Sequence, residues 1–132
     1  MTHGFFLAVE GPEGAGKSTL VSSLGCSIAA GGTEPLVVRE PGGTDAAEAI
    51  RRILLEPESN LAPISELYLF LAARADLVAR RIRPAIEAGN VVVADRFELS
   101  TLAYQVGGRG LDESLVRSAN QAATGGLHPI SP

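Results

Sequence analysis

The segment from Gly11 to Ser18 has the residue types and spacing of a loop that binds phosphate groups. It reads Gly-Pro-Glu-Gly-Ala-Gly-Lys-Ser and fits the pattern G-x-x-x-x-G-K-[ST]. Glycines let the backbone curl so that successive N–H groups point at phosphate oxygens, and the following helix adds the positive end of its dipole. In this pattern Lys17 contacts the outer phosphates of a nucleoside triphosphate, and Ser18 is a ligand of Mg²⁺. Lys17 is the single lysine among 11 basic residues, which makes an accidental glycine-rich loop the weaker interpretation.

A second candidate element is the run Val91–Asp95, four small apolar residues followed by an aspartate. The carboxyl ends of parallel strands meet at the ligand crevice of an α/β sheet. There Asp95 can hold Mg²⁺ or its water. The adjacent Arg96 can bind a phosphate through two hydrogen bonds where negative charge moves during transfer. An ordinary Asp–Arg ion pair is the alternative.

Phe70 and Arg74 are four residues apart and therefore share one face of a predicted helix. Arg74 falls on the apolar stripe, where a guanidinium is costly unless it is paired. An aromatic ring at Phe70 beside the hydrogen-bond donors of Arg74 would suit a planar base that carries carbonyl groups. A core phenylalanine next to an arginine in a structural ion pair fits the spacing equally well. Glu13 is unusual because a carboxylate near phosphates needs another partner, such as a sugar hydroxyl or a bridging cation.

Strands alternating with helices must position these residues. Strands are predicted over 5–9, 36–38 and 91–94, and helices over 17–30, 45–55, 64–88 and 112–123. Leu20, Leu24 and Ile28 are expected to form the buried face of the first helix, Asp45 to cap the second, and Pro84 to kink the long one. The alternation predicts an α/β fold with right-handed crossovers and a parallel sheet.

Composition bounds the class of protein. The 132 residues suit one domain, 1–132; hydrophobic residues are 45%, charged residues 20%, and the net charge is −4. An acidic balance argues against a general nucleic-acid or anionic-membrane binder. The sequence has one cysteine, Cys26, and it has neither an apolar run of membrane length nor a basic N-terminal leader. These features predict a soluble, cytoplasmic protein.

Five segments, in the same order, resemble the thymidylate kinase family. They are Glu10–Thr19, Arg39–Thr44, Phe70–Arg74, Asp95–Phe97 and Ser100–Gly110, and the likeness runs from Phe6 to Pro129. Arg39-Glu40-Pro41-Gly42-Gly43-Thr44 and Ala103-Tyr104-Gln105 together are specific to that family. The phosphate loop has no arginine between its flanking glycines. In this respect the sequence resembles the bacterial branch of the family, in which the transition-state arginine lies in a later lid.

The resemblance implies transfer of the γ-phosphoryl group of ATP to dTMP, giving dTDP, with Mg²⁺ as cofactor held by Ser18 and Asp95. It implies an ATP site of Gly11, Pro12, Glu13, Gly14, Ala15, Gly16, Lys17, Ser18 and Thr19, with Lys17, Arg96, Asp95 and Glu13 as the catalytic residues. The implied dTMP site comprises Arg39, Phe70, Arg74, Arg96, Ser100, Thr101, Tyr104, Gln105 and Arg109.

Within that site the resemblance implies particular roles. Phe70 stacks on thymine, while Arg74 and Thr101 bond its edge. Tyr104 crowds the 2′ position of the sugar. Arg39 and Arg96 hold the acceptor phosphate, Glu13 lies by the 3′-hydroxyl, and Gln105 with Arg109 supports the monophosphate pocket.

The resemblance also implies a homodimer packed through the long helix and a sheet in the order 2-3-1-4-5. The family pattern continues past His128-Pro129 into a strand, a lid and an adenine-contacting loop, so a chain of this length is expected to leave one strand short of a neighbour. Catalytic turnover is then expected to be low. Two alternatives stay open. One is a nucleotide-binding remnant with little turnover, and the other is a different phosphate-loop protein, such as a GTPase or another nucleoside monophosphate kinase. The lack of an Asn-Lys-x-Asp segment disfavours the GTPase.

Overall fold

The structure is a computed structural model, and it describes residues 4–9, 17–32, 34–95, 97 and 103–129. Three strands, β1 (Phe5–Val9), β2 (Leu36–Arg39) and β3 (Val91–Asp95), form a parallel sheet in the order β1-β3-β2. All three are rich in apolar residues, as is usual for strands that are covered on both faces. The predicted strands are confirmed, with β2 and β3 each one residue longer than expected.

Among the described residues, five α-helices and two π-helical segments connect and cover the strands. They are α1 (Lys17–Ala30), α2 (Asp45–Leu55), α3 (Pro63–Leu77), π1 (Val78–Ile82), α4 (Arg83–Glu87), π2 (Ala103–Gly108) and α5 (Glu113–Thr124). The predicted long helix is therefore α3, π1 and α4 in succession. The expected irregularity near Pro84 takes the form of π1, which ends just before the turn containing this proline. A proline has no N–H to donate and its ring crowds the preceding turn.

Helices pack on both faces of the sheet, which confirms the α/β class with three layers. On one face Val9 and Val93 pack against Val21 of α1. On the other face Phe6, Ala8, Val92 and Ala94 pack against the long helical run through Leu77, Val78 and Ile82. The alternation of the strand residues between the two clusters follows the two-residue period of a β-strand.

Two local predictions are wrong. Leu20 is 47% exposed, and Val21 takes the buried position instead, so that α1 uses Val21, Leu24 and Ile28 as its inner face. The cap of α2 is Thr44, whose hydroxyl accepts a hydrogen bond from the N–H of Ala47 at 3.1 Å, while Asp45 is the first helical residue. Threonine, like aspartate, has a side-chain oxygen that can accept from an open N–H group of the first turn.

β1 has a hydrogen-bonded neighbour on one side only within the described part of the sheet. Phe5 on β1 and Val37 on β2 are both about half exposed. Within the described residues, β1 and β2 are therefore the two edge strands of the sheet.

Candidate functional site

The carboxyl ends of the three strands meet at one edge of the sheet. In the register of the sheet, Asp95 at the end of β3 pairs with Val9 of β1 on one side and with Arg39 of β2 on the other. The polypeptide leaves β1 after Val9 and enters α1 at Lys17. The sequence expected to bind phosphate thus joins a strand end beside Asp95 to the N-terminus of a helix, which is the favourable end for an anion.

The structure describes the surroundings of this edge for some of the predicted residues. Arg39 is exposed and Asp95 half-buried, and Thr19 is exposed in the first turn of α1. Lys17 and Ser18 open α1, and Tyr104 lies within π2. The remaining predictions, for Gly11, Pro12, Glu13, Gly14, Ala15, Gly16, Arg96, Ser100 and Thr101, fall outside the described residues.

Arg74 lies on α3 with its side chain fully buried, and its guanidinium is the centre of a polar cluster. Its Nε donates to both carboxylate oxygens of Glu40, at 3.1 and 2.9 Å, and its Nη2 donates to Glu40 Oε1 at 2.9 Å. Nη2 also donates to the carbonyl of Phe97 at 2.9 Å, and Nη1 donates to Asn120 Oδ1 at 2.6 Å. The ion pair that was an alternative for Arg74 is therefore present, and a buried guanidinium needs such partners.

Two aromatic rings flank this cluster. The centre of the Arg74 guanidinium lies 5.4 Å from the ring centroid of Phe70 and 4.5 Å from that of Phe97. Phe97 in turn packs edge-on against Phe6, with centroids 4.9 Å apart. These distances are in the range of cation–π and aromatic attraction. The prediction that Phe70 and Arg74 share a face is confirmed, and Phe70 remains partly exposed.

The segment from Glu40 to Thr44 crosses from β2 to α2 and is held on both sides. Arg51 Nη1 donates to the Pro41 carbonyl at 2.9 Å, and Arg81 Nη1 donates to the Gly43 carbonyl at 3.0 Å. Gly42 and Gly43 have φ values of 148° and 95°, which favour glycine. A Cβ at Gly43 would lie 2.7 Å from Leu77 Cδ1, so the helix packs against bare backbone.

Thr44 links this segment to the long helix. Its hydroxyl donates to Asp76 Oδ2 at 2.6 Å, and Arg80 Nε donates to the other oxygen of Asp76 at 2.9 Å. The hydrogen bond from Thr44 has the largest effect on the pKa of Asp76, and the one from Arg80 has the next largest. Both hold this pKa below its ordinary value because they favour the charged carboxylate.

Gln105 and Arg109 contact the beginning of α3. Gln105 Nε2 donates to Glu66 Oε1 at 3.2 Å, and Arg109 Nη2 donates to the Leu61 carbonyl at 2.9 Å. Arg109 Nε also lies 3.5 Å from Glu66 Oε1, an ion pair without a hydrogen bond from that nitrogen. In the structure these two residues anchor π2 to α3.

Sequence reasoning missed two members of the buried cluster, Glu40 and Asn120. A signal for Asn120 was available, since Val116, Asn120 and Thr124 repeat every four residues and all three are buried on α5. An amide in the middle of such a stripe requires a partner. For Glu40 the signal was weaker, because its neighbours are turn residues.

Two kinds of feature are absent from the described residues. No group of three or more His, Cys, Asp or Glu side chains lies together as a ready-made metal cage. No described helix is long and apolar enough to cross a membrane.

The sheet order, the helices on both faces and the passage of the chain from β1 into α1 define an α/β fold of the phosphate-loop type. A family model described as thymidylate kinase matches residues 9–130. The chain belongs to the thymidylate kinase family.

Individual relatives agree with this assignment. A thymidylate kinase of Desulfovibrio desulfuricans is 53% identical over 94% of this chain, and one of Deinococcus radiodurans is 44% identical over 98%. The crystal structure of thymidylate kinase from Ehrlichia chaffeensis superposes with a TM-score of 0.90 at 33% identity, over 98% of this chain and 73% of that one. The chain spans 58% and 63% of the lengths of the first two relatives.

Proposed function

We propose that the protein transfers the γ-phosphoryl group of ATP to dTMP, giving dTDP. The observation that carries this proposal is the pairing of Asp95 with both Val9 and Arg39. It brings to one edge of the sheet the strand that leads into the phosphate loop, an acidic residue and an arginine. Membership of the thymidylate kinase family then selects the reaction.

The donor side is proposed to consist of the loop and the first turn of α1, from Gly11 to Thr19. The N–H groups of the glycine-rich loop and the N-terminus of α1 hold the phosphates of ATP. Lys17 neutralises charge that develops on the transferred group. Arg39 and Arg96 hold the phosphate of dTMP, and Glu13 lies near the 3′-hydroxyl of its sugar.

Mg²⁺ is the proposed cofactor, with Ser18 and Asp95 as the residues that would hold it. The donor chemistry fits, because Mg²⁺ takes oxygen ligands and is commonly held by one or two carboxylates together with substrate phosphates. Asp95 ends β3 beside the strand that leads into the phosphate loop. When bound, the ion supplies positive charge that offsets the charge of the phosphates. A cage of several acidic side chains is not required.

The acceptor base is proposed to stack on Phe70. Its ring is partly exposed, and the Arg74 guanidinium lies at 5.4 Å from its centroid. An arginine has five N–H donors. Within the described residues, four of those of Arg74 are used by Glu40, Phe97 and Asn120, which leaves one N–H on Nη1 for a carbonyl of thymine.

The remaining dTMP contacts are proposed as follows. Thr101 bonds the base edge, Ser100 lies in the same pocket, and Tyr104 excludes a 2′-hydroxyl. Gln105 and Arg109 act by fastening π2, which carries Tyr104, to the first turn of α3.

Residues 1–132 are proposed to fold as one domain that forms a homodimer through the long helix and acts in the cytoplasm. Family membership supports the dimer, and a sequence with a single cysteine suits a reducing compartment.

The test is a coupled assay of dTDP formation from ATP and dTMP, run beside calorimetric titration with each nucleotide. Turnover that depends on dTMP and Mg²⁺ supports the proposal. Binding of dTMP without turnover would make the chain a nucleotide-binding protein without kinase activity. Absence of dTMP binding would overturn the proposal.

A further inference from the structure

The cluster around Arg74 contains one partner whose chemistry the ion pair does not require. Glu40 neutralises the guanidinium charge from the Nε–Nη2 side. Asn120 lies at the other end and accepts from Nη1 at 2.6 Å, although it is 46 residues away along the chain. It lies on α5, and its exposed fraction is 7%. Its bond satisfies a buried N–H that Glu40 leaves open, and it has a second effect.

That effect is on orientation. Arginine offers donors only, so the amide has to turn its oxygen toward Nη1. The bonds to Glu40, Phe97 and Asn120 hold the planar guanidinium from three sides. Because its five N–H groups lie in one rigid plane, the bond from Nη1 to Asn120 also helps to hold the other Nη1 N–H in place.

We infer that Asn120 is a positioning residue for base selection, acting through Arg74. The inference rests on the proposed function, in which Arg74 faces the base that stacks on Phe70. A fixed N–H donor favours a pyrimidine with a carbonyl group at C4, as in thymine. It disfavours one with an amino group there, as in cytosine, because two donors then face each other. Asn120 thus contributes to the preference for dTMP over dCMP without touching either.

Three variants of the full chain test this inference. Asn120→Leu keeps the branched shape of the side chain and removes the acceptor, whereas Asn120→Asp keeps an acceptor oxygen at the same place. Gln121→Leu makes the same polar-to-apolar change at the next, exposed position of α5. Dissociation constants of dTMP, dCMP and ATP are measured by calorimetry, with dCMP read by competition against dTMP.

Asn120→Leu is expected to weaken dTMP binding by about tenfold or more, the scale of one hydrogen bond to a charged group. The preference for dTMP over dCMP is expected to fall with it, while ATP affinity stays the same. Asn120→Asp and Gln121→Leu are expected to keep the wild-type preference.

Equal losses for dTMP, dCMP and ATP in Asn120→Leu would overturn the inference, because they indicate a structural role only. An unchanged preference would overturn it as well. If Asn120→Leu does not fold, Asn120→Asp decides, since a folded Asp variant that has lost the preference contradicts the role of the acceptor oxygen. Failure of the wild-type chain to bind dTMP would instead refute the proposed function, so the two failures are distinguishable.

Discussion

The phosphate end and the base end proposed for this protein, residues 5–30 and the buried cluster around Arg74, are built in different ways. The phosphate end is one continuous stretch, in which a strand, a glycine-rich loop and a helix follow each other within residues 5–30. The base end is assembled from separate parts of the chain. Arg74 bonds residues that lie 34, 23 and 46 positions away, namely Glu40, Phe97 and Asn120.

This difference has an energetic consequence. A loop that is proposed to bind phosphate through backbone N–H groups and one lysine would contribute to ligand binding more than to folding. A buried guanidinium with a buried carboxylate belongs to the core, and removing one partner leaves an uncompensated charge. Changes at the phosphate end should therefore affect turnover, whereas changes at the base end should affect both stability and recognition.

The largest expected effect is that of Lys17→Ala at the phosphate end. Loss of the single lysine should lower the rate of dTDP formation by about 10³ or more, the scale seen for charges that stabilise phosphoryl transfer. The midpoint of urea unfolding should remain near that of the wild type. Arg52→Ala, at an exposed position of α2, is the control for removal of a positive charge. Near-normal turnover in Lys17→Ala would refute the assignment of the loop.

Next in size is the effect of Glu40→Gln on stability. Neutralising this carboxylate leaves the Arg74 charge buried and should cost about 3–5 kcal/mol in the free energy of unfolding. Glu113→Gln breaks the exposed pair of Glu113 with Arg117, in which both side chains are about 60% exposed, and should cost no more than about 1 kcal/mol. Urea denaturation measures both. Similar losses for the two variants would contradict the difference in stability between the buried Glu40–Arg74 pair and the exposed Glu113–Arg117 pair.

A smaller effect is expected for Phe70→Ala. Loss of the stacking surface should weaken dTMP binding by about 1–3 kcal/mol and leave ATP binding nearly unchanged. Tyr68→Ala is a matched control, since Tyr68 lies on the same helix but is exposed. Calorimetry gives both affinities. Equal losses for dTMP and ATP would assign Phe70 to the core instead of to the base site.

The smallest effect concerns Asp76, where Thr44 and Arg80 lower the pKa from its ordinary value of 3.8. A lowered pKa stabilises the fold above that value, and the contribution is lost as the pH falls through the lowered pKa. The urea midpoint should drop less between about pH 5 and about pH 3 in Asp76→Asn than in the wild type. Arg80→Gln should give an intermediate drop, because the Thr44 hydrogen bond remains. An unchanged drop in Asp76→Asn would contradict the assignment.

Sequence reasoning predicted the continuous features of the molecule well. The three parallel strands and the helices around them follow from short apolar runs and from apolar residues at helical spacing. These strands and helices could be predicted without knowing which distant residues contact each other. The exceptions are positions where two adjacent residues suit the same role. Val21 is the buried residue of α1 in place of Leu20, and Thr44 caps α2 in place of Asp45.

The base end could be predicted only in part. The position of Arg74 on an apolar stripe implied a partner, but neither its spacing nor its type identified Glu40 or Asn120. Those partners are set by how α5 and the segment after β2 pack against α3, which is a property of the tertiary structure. For the same reason the contacts of Gln105 and Arg109 with the first turn of α3 were not foreseen.

The most direct test of the account is to locate dTMP on the chain by NMR. Intermolecular NOEs between the C5 methyl group of thymine and the ring protons of Phe70 are predicted, together with a shift of the Arg74 Nε resonance. These signals should disappear in Phe70→Ala. NOEs from the thymine methyl group to residues far from Phe70, with the Arg74 resonance unmoved, would contradict the proposal that this buried cluster supports the base site.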